Sequence, residues 1–235
     1  MPMSNWNGNK TLGLLAACAT GLALSASSLW ACAAQPGAYP LDLYENVPQR
    51  RAITKTLEDI SEYFNVTFEE VCVSQTLFQG QADVLRGELT LGLRFLSFYA
   101  GRVDGTASLV VLLAHESAHL FQQVSGWFDG HVGASPTLRC IELHADFLAG
   151  GYARRYYEAR NGPVTEGALT QFFSDTHGPS IFYGFGNLNN RTTALRGAPS
   201  ERFEAFAHGF DMDPAIPAQD REKGWNQINT GLNCA

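Results

Sequence analysis

The sequence predicts an α+β domain, mainly helical with a small sheet, and three observations lead there. Ile53, Leu57, Ile60 and Phe64 recur at helical spacing in residues 51–64. Leu89, Leu91 and Leu93 alternate within residues 87–93, as on one face of a strand. Gly126, Gly130, Gly133 and Pro136 form a breaker-rich loop between two segments that read as helices packed together.

The chain opens with Lys10 and a mostly apolar stretch from Leu12 to Ala31, followed by Ala31-Cys32-Ala33-Ala34. This is the plan of a signal peptide, residues 1–34, with cleavage near Ala33 or Ala34 and a single domain over 35–235. Gly13, Gly21 and several serines make the stretch a poor retained anchor. Leu15-Ala16-Ala17-Cys18, and less well Leu29-Trp30-Ala31-Cys32, resemble lipoprotein cleavage boxes, so a lipid tether to the membrane surface stands beside a periplasmic or secreted fate. Removing the leader leaves Cys72, Cys140 and Cys234, an odd number that permits one disulfide at most. A formal charge of −7 argues against a nucleic-acid binder.

Residues 51–64 are core, whereas residues 87–93 are, as bare sequence, only an amphipathic segment. The run Leu109–Ala114 suits a buried helix or a buried strand, and periodicity alone does not separate them. It leads into His115-Glu116-Ser117-Ala118-His119, an HExxH arrangement. A chance match in a chain of this composition has a probability of about 1 per cent. On a helix the two histidines share a face and can reach one metal ion, while Glu116 can reach a water beside it.

Two histidines alone hold zinc weakly, so a third ligand is required. Gln122 and Ser125 stand where the metzincin extension needs Gly and His, which excludes that subclass. Glu142 and Asp146 lie four apart with Ala145 and Ala149 near them, small enough for close approach to the first helix. Glu142 is the expected ligand, with Asp146 accepting the free ring N–H of a ligating histidine. A solvated acidic face is the alternative, as are His131, Cys140 or His144 in place of Glu142. Arg154, Arg155 and Arg160 near the end of this helix read as favourable charge at a helix C-terminus rather than a phosphate site. Residues 211–235 form a loop-rich tail.

HESAHLFQQ followed by ELHADFLAGGY resembles the paired motifs of the gluzincin metallopeptidases, in particular the neutral zinc metallopeptidase family of bacteria and, more distantly, the CAAX-prenyl-protease type. The resemblance covers roughly residues 70 to 210. It implies a zincin-like fold, zinc on His115, His119 and Glu142, Glu116 as general base and Asp146 behind a ligand. It also implies that the strand at 87–93 borders the cleft and can pair with an extended substrate. Asp175-Thr176-His177-Gly178 with Arg202 is a weaker match, its spacing interrupted by an apparent insertion at 181–198. His177, or Tyr183, is then the candidate second donor to the oxyanion. The expected activity is an exported zinc metalloendopeptidase acting on a peptide or protein substrate. The alternatives are an inactive zinc-binding scaffold of the same fold and a hydrolase of a non-protein amide such as a cell-wall peptide.

Overall fold

The computed structural model describes residues 32, 35–100, 105–127, 137–165, 167–172, 182, 196–213, 225–226 and 234. All belong to the unit Ala31–Ala235, one of two into which the chain divides. Cys18 and the leader before Cys32, His131, His177, Tyr183, most of the 181–198 insertion and most of the tail lie outside the described residues.

Helix α1 spans Val47–Phe64. The Asn46 side chain caps it by accepting the Gln49 N–H, Pro48 sits in its first turn, and Asn65 ends it in the left-handed conformation at φ 52°. Ile53, Leu57, Ile60 and Phe64 are buried, as their spacing requires. This face packs on α3, where Phe64 meets Phe121 at 5.7 Å between ring centroids.

Strands β1 (Ala38–Pro40), β2 (Glu70–Ser74), β3 (Gly80–Asp83) and β4 (Glu88–Gly92) form one sheet in the order β1-β2-β4-β3. β2 and β4 run parallel, and the other pairs are antiparallel. The turn into β4 is closed by Asp83, whose carboxylate accepts the N–H groups of Leu85 and Arg86, and by Gly87 at φ 64°. β4 is buried along its whole length and Leu93 already begins α2 (Leu93–Tyr99), one residue earlier than simple alternation suggests. This corrects the expected role of residues 87–93. β4 has a strand on either side, so its ladder hydrogen bonds are taken, and the strand at the sheet edge that packs on α3 is β3.

α3 spans Gly105–Val124, which resolves Leu109–Ala114 as helix, buried without interruption from Ser108 to Ala118. α4 spans Leu138–Asn161 and is capped by Thr137, whose hydroxyl accepts the Cys140 N–H. The short α5 (Ala168–Phe172) and α6 (Pro199–Asp211) follow. The Glu201 carboxylate accepts the Ala198 N–H at 2.7 Å and anchors the α6 N-terminus. α4 and α6 approach backbone to backbone: a Cβ at Gly150 would sit 2.0 Å from the Phe206 carbonyl oxygen, and one at Gly209 1.8 Å from that of Phe147. Only glycine fits there, and that close approach carries Arg202 of α6 onto Asp146 of α4.

The cysteine count needs correction. Cys32 pairs with Cys72 and Cys140 with Cys234, giving two disulfides rather than one. A cut after Ala33 or Ala34 would discard Cys32 and orphan Cys72, so a leader compatible with this pairing ends before Cys32. The bonded Cys32 sulfur is equally closed to lipidation, and Cys140 to zinc. Two disulfides suit an oxidising compartment. Among the described residues no helix is long and apolar enough to cross a membrane. Arg154, Arg155 and Arg160 of α4 are engaged with protein groups: Arg154 with Glu158 and the Asp211 carbonyl, Arg155 with Asp59, and Arg160 over the Tyr156 ring.

Candidate metal centre

His115 and His119 project from one face of α3, with their Nε2 atoms 3.2 Å apart. Glu142 of α4 brings Oε2 to 3.3 Å from the His115 Nε2. Ligand atoms of the three residues all lie within 4.8 Å of one another. His115 and Glu142 are buried and His119 is partly exposed, so solvent reaches the cluster on the His119 side.

Hydrogen bonding at the far side of each ring decides what faces inward. The His115 Nδ1 lies 2.8 Å from Asp146 Oδ1, an oxygen that can only accept, so Nδ1 carries a proton. The His119 Nδ1 lies 2.9 Å from the Gln122 Oε1, with the same consequence. Both Nε2 atoms of the neutral rings therefore point lone pairs into the space that also receives Glu142 Oε2, a buried oxygen that accepts no hydrogen bond. Three converging acceptors call for positive charge among them: Arg202 Nη2, 3.4 Å from His115 Nε2, supplies part of it, and a proton on His115 in the metal-free protein, or a metal ion, would supply the rest.

Charge leads to the same requirement. Glu116, Glu142 and Asp146 are buried carboxylates, and Arg202, 1% exposed, is the buried cation among them. With neutral histidines this leaves two negative charges, which a divalent cation matches. Arg202 forks onto Asp146, Nε to Oδ2 at 2.6 Å and Nη2 to Oδ1 at 2.9 Å, and its Nη2 lies 3.5 Å from Glu142 Oε2. From the solvent side Arg196, about half exposed, brings Nη1 to 3.5 Å from Glu142 Oε1. Burial disfavours a charged His115, but Asp146 and Glu142 outweigh it and push its pKa up to about 9 in the metal-free protein. Burial likewise opposes ionisation of Glu142, yet His115, His119 and Arg202 hold its carboxyl well below the usual range.

Glu116 lies against the edge strand: a Cβ at Gly80 would stand 3.0 Å from its Cγ and 3.2 Å from its Oε1. The strand and the carboxylate thus meet because Gly80 has no side chain. His144 is not at this centre. It points to another side of α4, stacked on Trp127 with centroids 4.4 Å apart, and its Nδ1 lies 3.1 Å from Gln122 Nε2.

His115, Glu116, His119, Glu142 and Asp146 are therefore brought together as their spacing on two helices requires. The sequence alone did not disclose that Arg202 balances the cluster, that Gly80 adjoins Glu116, or that Gln122 supports His119. Only Gln122 carries a local signal, standing three residues after His119 on a helix. Cys32, Glu70 and Cys72 also cluster, but both sulfurs are spent in a disulfide. A cleft of about 760 Å³ beside α1 and β2, with Arg50, Lys55, Glu58 and Glu69 in its wall, shares no residue with the metal centre and lacks its ligand chemistry. No family model matches the chain, and neither a curated protein nor a solved structure is found similar to it.

Proposed function

We propose that this chain is an exported zinc metalloendopeptidase, with zinc on His115, His119 and Glu142 and Glu116 as general base. The observation that carries the proposal is the convergence of two histidine nitrogens and one buried carboxylate oxygen within 4.8 Å of one another, with a second buried carboxylate, Glu116, next to His115 on the same helix. Nitrogen and oxygen donors of this kind suit zinc, and three protein ligands leave a coordination position for catalysis. Bound there, zinc would act as a Lewis acid toward water and the scissile carbonyl.

The remaining chemistry belongs to the chain. Glu116 takes the proton of the attacking water and delivers it to the leaving amine. Asp146 holds His115 in the Nδ1–H tautomer, and Arg202 fixes Asp146 through two hydrogen bonds. Among the described residues β3 is an edge strand, and it offers an extended substrate that edge, next to Glu116. His177 and Tyr183 remain candidates for the oxyanion donor.

Glu116→Gln tests this function. It should retain one zinc per chain while turnover of an unfolded protein or peptide library falls by about 10²–10⁴-fold. Full activity in that variant would refute the role of Glu116. Stoichiometric zinc without turnover in the wild type would favour the inactive scaffold, and turnover of cell-wall peptides alone would favour the non-protein amide hydrolase.

A further inference from the structure

The two histidines of the centre are supported differently, and Gln122 is the reason. It is fully buried, so each of its polar atoms must find its partner within the protein. Its Nε2 lies 2.9 Å from the Ile141 carbonyl oxygen, which can only accept. That contact fixes the orientation of the amide: nitrogen faces Ile141 and Oε1 faces His119 Nδ1 at 2.9 Å. The second N–H of the amide reaches His144 Nδ1 at 3.1 Å. The His144 ring is held in turn between Trp127, stacked at 4.4 Å with planes 15° apart, and Trp225 at 5.0 Å. The amide is thus clamped from α4, and it can present only an acceptor to His119.

We propose that Gln122 is a positioning residue that locks His119 as the Nδ1–H tautomer, with Nε2 directed at the metal; this rests on reading His115, His119 and Glu142 as a metal centre. His115 is oriented by the charged Asp146, His119 by a neutral amide. The difference has a physical consequence. A carboxylate at position 122 would add a third uncompensated negative charge to a cluster that a divalent cation already neutralises, whereas an amide orients the ring without changing that balance.

The experiment compares the full chain, disulfides intact, as wild type, Gln122→Met and Gln122→Glu. Zinc affinity is read by chelator competition, ligand geometry by the visible spectrum of the cobalt-loaded protein, and the His119 tautomer by nitrogen-15 NMR of the metal-free protein at alkaline pH. Methionine keeps the volume and removes the acceptor, so zinc affinity should fall by about 10–100-fold and the cobalt bands should shift. Glutamate keeps an acceptor for His119 but sets an oxygen against the Ile141 carbonyl and adds a charge, so it should recover only part of that loss, while wild-type His119 should carry its proton on Nδ1.

Affinity within about twofold of wild type in Gln122→Met, with unchanged cobalt bands, would overturn the proposal. So would a wild-type His119 that carries its proton on Nε2 at alkaline pH, because Gln122 would then not be setting the tautomer. If Gln122→Met fails to fold, the wild-type tautomer decides, and a proton on Nε2 refutes the role. A wild type that binds no zinc overturns the metal centre itself, while the tautomer measurement still judges Gln122.

Discussion

Arg202→Met tests the charge logic of the site most directly. The guanidinium is 1% exposed and makes two hydrogen bonds to Asp146, itself fully buried. Methionine retains much of the stem volume, so the principal loss is the charge. An uncompensated buried carboxylate left by removing its partner costs about 3–5 kcal/mol. For a domain of this size that corresponds to a fall in Tm of roughly 6–20 °C. The metal-free protein has one way to soften the loss, which is to protonate His115, 2.8 Å from the same carboxylate. That ring already holds its proton up to about pH 9, so the destabilisation should be smaller near neutrality and larger above that value. Chemical denaturation at both pH values, with disulfides oxidised, measures it. The double variant Arg202→Met/Asp146→Asn removes both charges and should regain at least half of the lost stability. A loss below about 1 kcal/mol at high pH, or a double variant no more stable than the single one, would refute the account.

Zinc binding should depend on pH through His115: its folded pKa is raised to about 9, so the stability it lends the metal-free protein is complete below its ordinary value and is lost as pH rises through about 9. Because zinc needs the neutral ring, apparent affinity should climb about tenfold per unit between about pH 7 and 8.5, with one proton released per ion from this group; calorimetry in buffers of different ionisation enthalpy reads both. Gly80→Val places a side chain 3.0 Å from the Glu116 Cγ and should lower turnover by roughly 10²-fold while zinc stoichiometry holds; unchanged kcat would show that Glu116 is not held against β3. Cys140→Ser opens a bridge spanning 94 residues and should cost about 2–5 kcal/mol in denaturant unfolding. Gly209→Ala drives a Cβ into the Phe147 carbonyl and should separate α6 from α4, seen as lower Tm together with weaker zinc binding as Arg202 withdraws.

Much of the centre was legible because it lies on local periodicities. A spacing of four on α3 aligns His115 with His119, and the same spacing on α4 aligns Glu142 with Asp146, so the backbone of each helix fixes each pair before tertiary packing is known. Helix α1 was legible for the same reason, since its buried face repeats at the helical period. The run Leu109–Ala114 was not, because a segment buried on every side has no polar face to reveal its period.

Other features depend on residues far apart in the chain. β3 is a short edge strand, half of it Gly and Ala and none of it fully buried, so it carries almost no strand signal; only its pairing with β4 identifies it. The Cys32–Cys72 bridge is a matter of which sulfurs meet in space, which no count of cysteines can decide. Arg202 lies 56 residues from Asp146, and nothing local marks it as the counter-charge until Gly150 and Gly209 bring the two helix backbones into contact. The sequence by itself placed His115 beside His119 and Glu142 beside Asp146, because helix geometry is a short-range property. Tertiary structure alone decided which strand borders the site, which cysteines pair and what balances the buried charge, because each of these depends on packing between segments that local spacing does not connect.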